Sequence, residues 1–416
     1  LVRRAEVVDH APSMPSRTRW ICAIAAALFL IGPFIGNMRK SLWSNRGDWL
    51  SIYNIADHSV RTGKLQADES EKIVRTQRYP PITRPMLMLF ALPPKPVAAV
   101  LSFALFAMLY GWSAAKIAEV FPPPRVADRT VAASVAIAVV APYVWADLTA
   151  GNLSSVLLAS VTGAYVFAQR GKPLRAGVIL SIGIMLKMIP ALCLIYFLFR
   201  KQWRVFIGVA LGVVIIGVIP SLLIFGPTQL IDYHSYWYHE EFAKFTPMRT
   251  IEQPVECTYQ NQAFVRTLIR LFTPTNAGHS GDPFYIQIAD LSVPSIKSIY
   301  IAVMFASLAG LVWSCWRSTR RSSDAGPEAF ALCVGSMLWM SPWAGSYYFS
   351  LAIWPAMALV TLRDTSRTGR IALVVWFAAM PTLASLTLRA YSPSMFATLV
   401  VLVAVSICIS RRESAT

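Results

Sequence analysis

Apolar runs long enough to cross a bilayer alternate with short polar connections along almost the whole chain. A crossing helix needs about 20 predominantly apolar residues, within a range of roughly 17–25. On that measure the pattern predicts spans at 20–37, 96–117, 130–147, 151–169, 206–225, 297–315, 328–345, 347–362, 371–388 and 394–410. The first span has no small-residue cleavage site after Phe34, which reads as a retained anchor. The segment 174–199 is apolar too, but Lys187 and Pro190 interrupt its centre. A lysine and a proline at that depth are tolerated where irregular backbone is buried in protein or lines a water-filled hollow. The segment is therefore predicted to be a broken, re-entrant pair of short helices. Two long connections remain, 38–95 and 226–296. In the first, Trp49, Ile52, Tyr53, Ala56 and Val60 fall on one face of a predicted helix lying along the membrane surface.

Composition fits this pattern. Of 416 residues, 56% are hydrophobic and 14% charged, where a soluble domain carries about 25% charged residues. The mean hydropathy is +0.52. The expectation is an all-α polytopic membrane protein forming a single domain over 1–416, with about 10–12 membrane helices and surface helices in the two long loops. A net charge of +17 raises the question of nucleic acid. Its placement answers it, because the cations cluster in the short connections, the pattern of cytoplasmic loops. Arg3, Arg4, Arg17, Arg19, Arg125, Arg129, Arg170, Lys172 and Arg175 fall on one side if the spans alternate. If 174–199 enters and returns, so do Arg200, Lys201, Arg204, Arg317, Arg320, Arg321, Arg363, Arg367, Arg370, Arg411 and Arg412. Both long loops then face outward, as expected for a multi-pass protein of the inner (cell) membrane with its active face toward the periplasm or exterior. Membrane lipids are partners and nucleic acid is not. Cys22, Cys193, Cys315, Cys333 and Cys408 lie in apolar spans and Cys257 alone in a loop, which suggests neither disulfides nor a cysteine metal site.

Candidate chemistry collects at the span edges. Asp48 opens the predicted first-loop helix, where it serves equally as an N-terminal cap or as a general base. Asp57 is the alternative base. The run Asp68, Glu69, Glu71 reads as a solvated face. Asp147 and Asn152 flank the turn ADLTAGNLSS, either lining a hollow or capping the next helix. Lys187 is costly at mid-bilayer, so it marks an anion site or an ion pair with an acid such as Asp147. His234 and His239 have no third ligand nearby, and no metal is assigned. Asn261 and Gln262 begin NQAFVRTLIR, read as an amphipathic surface helix whose Arg266 and Arg270 either pack against headgroups or offer guanidiniums to a phosphate. No GxSxG, HExxH, P-loop or dinucleotide fingerprint stands in convincing context, which removes the common hydrolase, protease and nucleotide-driven readings.

The segments GDWLSIYNIAD and YPP of the first loop resemble the first outer loop of glycosyltransferase family 87, integral-membrane transferases of the GT-C superfamily. GNLSS, RGKPLRAGVILSIGIMLKMIPALCLIYFLFRKQWR, NQAFVRTLIR and SPWAGSYY resemble further family segments in the right order. The resemblance implies a GT-C-like bundle. It also implies inverting transfer of a sugar, most often mannose, from a polyprenyl-phosphate donor to a lipid or glycan acceptor at the outer face, with no cofactor. Asp48 is then the general base. Lys187, Arg266 and Arg270 are candidates for the leaving phosphate, and Tyr53, Tyr79, Asn152, Asn261, Gln262 and Tyr347 for substrate binding. One departure stands out: Tyr347 and Tyr348 occupy the late motif where many relatives carry histidine. The alternative is a transporter or flippase of a lipid-linked or anionic solute, since broken helices and a membrane lysine suit transporters equally well.

Overall fold

In lipid every backbone polar group must find its partner within the protein, and a helix does so inside one segment. The computed structural model accordingly shows helices and no named strand among the described residues, which are 16–44, 47–65, 79–121, 129–254, 257–278, 283–321, 326–362 and 367–411. Four helices are long and apolar enough to cross a membrane: Trp20–Trp43, Lys95–Val120, Trp203–Glu240 and Val293–Thr319. Shorter apolar helices, including Ser154–Gln169, Pro173–Leu186 and Pro393–Ile407, pack among them. The protein is a multi-pass, all-α membrane protein. Arg3, Arg4, Asp68, Glu69, Glu71, Arg125, Arg363 and Arg412 lie outside the described residues.

Several spans differ from the sequence pattern, each for a local reason. The stretch 130–147 is two helices, Val131–Ala138 and Ala141–Ala150, bent by 78°. Pro142 sits in the first turn of the second helix, where its missing N–H and fixed φ suit a new helix start rather than a continuation. The span at 206–225 does not end there. Its helix runs on through Trp237 into the second loop, kinked at Gly226, whose φ is 76°, just before Pro227. The span at 371–388 stops at Ala379 and is followed by a 3-10 turn, Pro381–Ala384. The break in 174–199 falls where expected. Helix Pro173–Leu186 ends at Lys187, which is extended (φ −154°, ψ 116°), and a 3-10 turn, Ile189–Leu192, leads into Cys193–Phe199.

The first-loop helix forms over Asp48–Thr62. It buries Trp49, Ile52, Tyr53 and Ala56 as the pattern predicts, together with Leu50 and Ile55, while Val60 stays exposed. Arg84 locks this helix to the returning chain, donating from Nη1 to Ile55 O and to Ser59 Oγ, each at 2.8 Å. Burial lowers that guanidinium to about 10, so it keeps its charge at neutral pH. The broken segment is fixed from behind. A methyl on Gly177 would overlap Val205 O, and one on Gly208 would overlap Leu174 O. Helices Pro173–Leu186 and Trp203–Gly212 thus approach backbone to backbone through small residues, the usual way membrane helices gain close packing. Replacing Gly177 by Ala is expected to push these helices apart and cost about 1–3 kcal/mol, seen as a lower unfolding temperature in detergent and weaker retention of Lys187 at its site.

Candidate active site

Asp48 is the first helical residue rather than the cap. Gly47 occupies the cap position with φ 111°, and no side chain caps the helix. The Asp48 carboxylate instead accepts a hydrogen bond from Asn152 Nδ2 at 2.8 Å. Asn152 likewise does not cap the helix after it, Ser154–Gln169. Its turn is shaped by Gly151, whose φ of 67° is left-handed, with the Gly151 and Asn152 N–H groups both donating to Asp147 O. A side chain at Gly151 would also overlap Trp49 and Asn37. The turn therefore presses directly on the helix that carries Asp48. Behind it the Tyr110 hydroxyl lies 2.8 Å from both Asp147 Oδ2 and Ser350 Oγ, all three residues fully buried. Asp147 is thus engaged by Tyr110, not by Lys187.

Asp48 and Asn152 open into a cavity of about 660 Å³. Tyr79, Pro80, Lys187, Tyr347 and Tyr348 share its wall with them. Lys187 Nζ donates to Trp343 O at 2.9 Å and stands 3.1 Å from the centroid of the Tyr348 ring. The far wall comes from the second loop: Trp237 at the end of its extended helix, then Phe242, Thr246 and Pro247. Trp237 and Phe242 belong to the aromatic run DYHSYWYHEEF, whose pattern reads as a loop, and Thr246 and Pro247 beyond it carry no signal in the sequence.

The remaining sequence candidates do not line the cavity. Tyr53 is buried against Trp49, ring centroids 5.1 Å apart, on the face turned inward. Asp57 accepts from Arg61 Nε at 2.9 Å, one turn along its own helix. The segment 264–272 is a helix but not a surface one, because Arg266 and Arg270 are both fully buried. A guanidinium presents five donors, and backbone carbonyls can take them all. Arg270 donates to the carbonyls of Ala390, Cys257, Thr258 and Asn261 and to Ser392 Oγ, at 2.7–3.2 Å. Burial lowers it to about 10, and it remains charged. Arg266 donates to Pro342 O and stacks on Trp343, its guanidinium carbon 4.6 Å from the ring centroid. Asn261 and Gln262 grip the same late turn. Gln262 N donates to Ala344 O at 2.6 Å, and Asn261 Oδ1 accepts from Ala344 N at 3.3 Å. These residues brace the turn that carries Trp343, Tyr347 and Tyr348.

The family model for glycosyltransferase family 87 matches residues 78–342, most of the chain. The chain belongs to glycosyltransferase family 87. No curated protein and no solved structure matches it. As a family 87 member the protein is a glycosyltransferase, which sets the transporter reading aside. The matched region contains Tyr79, Asn152 and Lys187, and stops short of Tyr347. In this family 87 protein Arg270→Met removes the guanidinium donor from four carbonyls, of which Thr258 O also accepts from a backbone N–H, that of Asn261. The expected result is a loss of folded protein of at least about 3 kcal/mol, measured by thermal unfolding, with no selective change in the KM of any residual activity.

Proposed function

We propose that this glycosyltransferase moves a sugar, mannose by family resemblance, from a polyprenyl-phosphate donor to a lipid or glycan acceptor, with inversion at the anomeric carbon. The supporting observation is one cavity whose wall holds an oriented carboxylate, Asp48, together with an ammonium, Lys187. Its volume suits a hexosyl phosphate, since small-molecule sites run about 300–1,000 Å³. A second cavity of about 330 Å³ adjoins it, shares Leu186 with it and is almost wholly apolar, walled by Leu87, Phe90, Leu101, Leu153 and Val156. Polar headgroup and isoprenyl tail would thus find their separate surroundings side by side.

In the reaction the acceptor hydroxyl gives its proton to the free oxygen of Asp48 as its oxygen bonds to the anomeric carbon. The bond from that carbon to the phosphate oxygen breaks, and the electron pair leaves with polyprenyl phosphate. The phosphate passes from a singly charged diester to a monoester of higher charge, so negative charge grows beside Lys187. A fixed cation aimed at developing charge stabilises the transition state more than the ground state. Asn152 holds the other Asp48 oxygen and so aims the basic lone pair. Arg270, enclosed by carbonyls, takes no part, and Arg266 acts by holding the late turn. The loop charges favour an active face outside an inner membrane, where the donor is already activated and no nucleotide is needed.

Asp48→Asn keeps the bond geometry and removes the base. The expected outcome is a fall in kcat of about 10²–10⁴-fold with donor binding retained, read as release of polyprenyl phosphate by purified protein given a panel of polyprenyl-phosphate sugars. Full activity in this variant overturns the assignment. Lys187→Met is expected to weaken binding of polyprenyl phosphate roughly tenfold or more, measured by titration of the lipid in detergent.

A further inference from the structure

The ring of Tyr348, in the late turn, makes a contact that a hydrogen-bonding group there would not. Lys187 Nζ lies 3.1 Å from the Tyr348 ring centroid, directly over its face. The same ammonium donates to Trp343 O, five residues earlier in the same turn. The Tyr347 ring packs against Tyr348 with centroids 4.9 Å apart. Tyr348 N donates to Gly345 O at 3.0 Å, and Asn261 pairs with Gly345 in an isolated antiparallel bridge. Arg266 and Gln262 secure Pro342 and Ala344. One braced turn therefore presents both a carbonyl and an aromatic face to a single lysine, at the point where the Pro173–Leu186 helix has broken off and left that side chain on extended backbone. The face of an aromatic ring is negative and attracts an ammonium without exchanging a proton with it.

We propose that Tyr348 is a positioning residue for Lys187, and that its ring face rather than its hydroxyl performs this role, holding the ammonium on the cavity wall where the donor phosphate arrives. The assignment rests on reading Lys187 as the cation that meets that phosphate. A ring serving as a π surface tolerates loss of its hydroxyl but not loss of its electron density. Tyr348→Phe should therefore bind polyprenyl phosphate as the wild type does. Phenylalanines carrying one and then three ring fluorines at position 348 should bind it progressively less tightly, down to roughly tenfold weaker. Tyr348→Leu should be as weak as the trifluoro variant.

A second readout separates the contact from the chemistry. In protein reductively methylated with ¹³C on its lysines, the Lys187 signal, assigned by its loss in Lys187→Arg, should be shifted upfield by the Tyr348 ring current. It should return to the ordinary lysine position in Tyr348→Leu. A shifted signal with a graded fluorine series establishes the proposal. A flat fluorine series, or an unshifted Lys187 signal, overturns it even in an active enzyme. A shifted signal and graded series in a protein that transfers no sugar would uphold the ring's role and count instead against the transferase chemistry proposed for this cavity.

Discussion

The hydrogen bond from Asn152 to Asp48 is the contact on which the site depends, because it joins two segments that the sequence keeps far apart. It requires the Asp48 carboxylate to turn away from its own helix terminus, the place where an acid would ordinarily settle. Gly47 frees it by taking the cap position, and Gly151 supplies the left-handed turn that delivers Asn152 at the right height. Beneath them Tyr110, Asp147 and Ser350 tie that turn to two further helical segments. A small polar contact at the cavity thus inherits its rigidity from a fully buried layer.

A second brace works from the other side. The late turn carries Trp343 on irregular chain and then Tyr347 and Tyr348 at the start of a 3-10 helix, Ser346–Ala352. It borrows shape from the second loop, through Asn261, Gln262 and Arg266, and passes that shape to Lys187. Arg270 performs the same service one layer deeper, binding loop carbonyls that no strand or helix satisfies. Arg270 can be buried because carbonyls and hydroxyls meet its guanidinium's hydrogen-bonding need, whereas Arg266 is held by Pro342 O and the Trp343 ring.

Much of the fold was legible because the bilayer fixes both length and composition of what crosses it. The break at Lys187 was legible for the same reason, since a charge and a proline in one apolar run have few structural uses. The bend before Pro142 was not, because a proline near the middle of an apolar run does not say whether it kinks a helix or starts another. Nor was the length of the helix running to Trp237, whose aromatic residues look alike in a loop and in a helix roofing a cavity. Among site candidates, Asp48, Tyr79, Asn152, Lys187 and Tyr347 could be picked as polar or aromatic groups at span edges, and all five reach the cavity wall. Arg266 and Arg270 were misjudged as outward-facing because sequence displays a charge but not the carbonyls that will enclose it. Tyr53, a substrate-binding candidate by resemblance alone, lies on the apolar face it shares with Trp49 and turns inward with it.

The junction at Leu186 and Lys187 carries a consequence for what the enzyme can discriminate. Leu186 belongs to both hollows, whereas Lys187 belongs only to the one that holds Asp48, and consecutive α-carbons are only about 3.8 Å apart. The step from a hollow without charged groups to one that contains them is therefore taken within a single peptide unit. An amphiphile lying across it has its own polar–apolar joint registered to within a bond or two. For the isoprenoid phosphate proposed above as donor, the saturation and double-bond geometry of the first isoprene unit would come under steric scrutiny there, while carbons near the far end of the tail, beyond the small greasy hollow, would be left to the surrounding lipid.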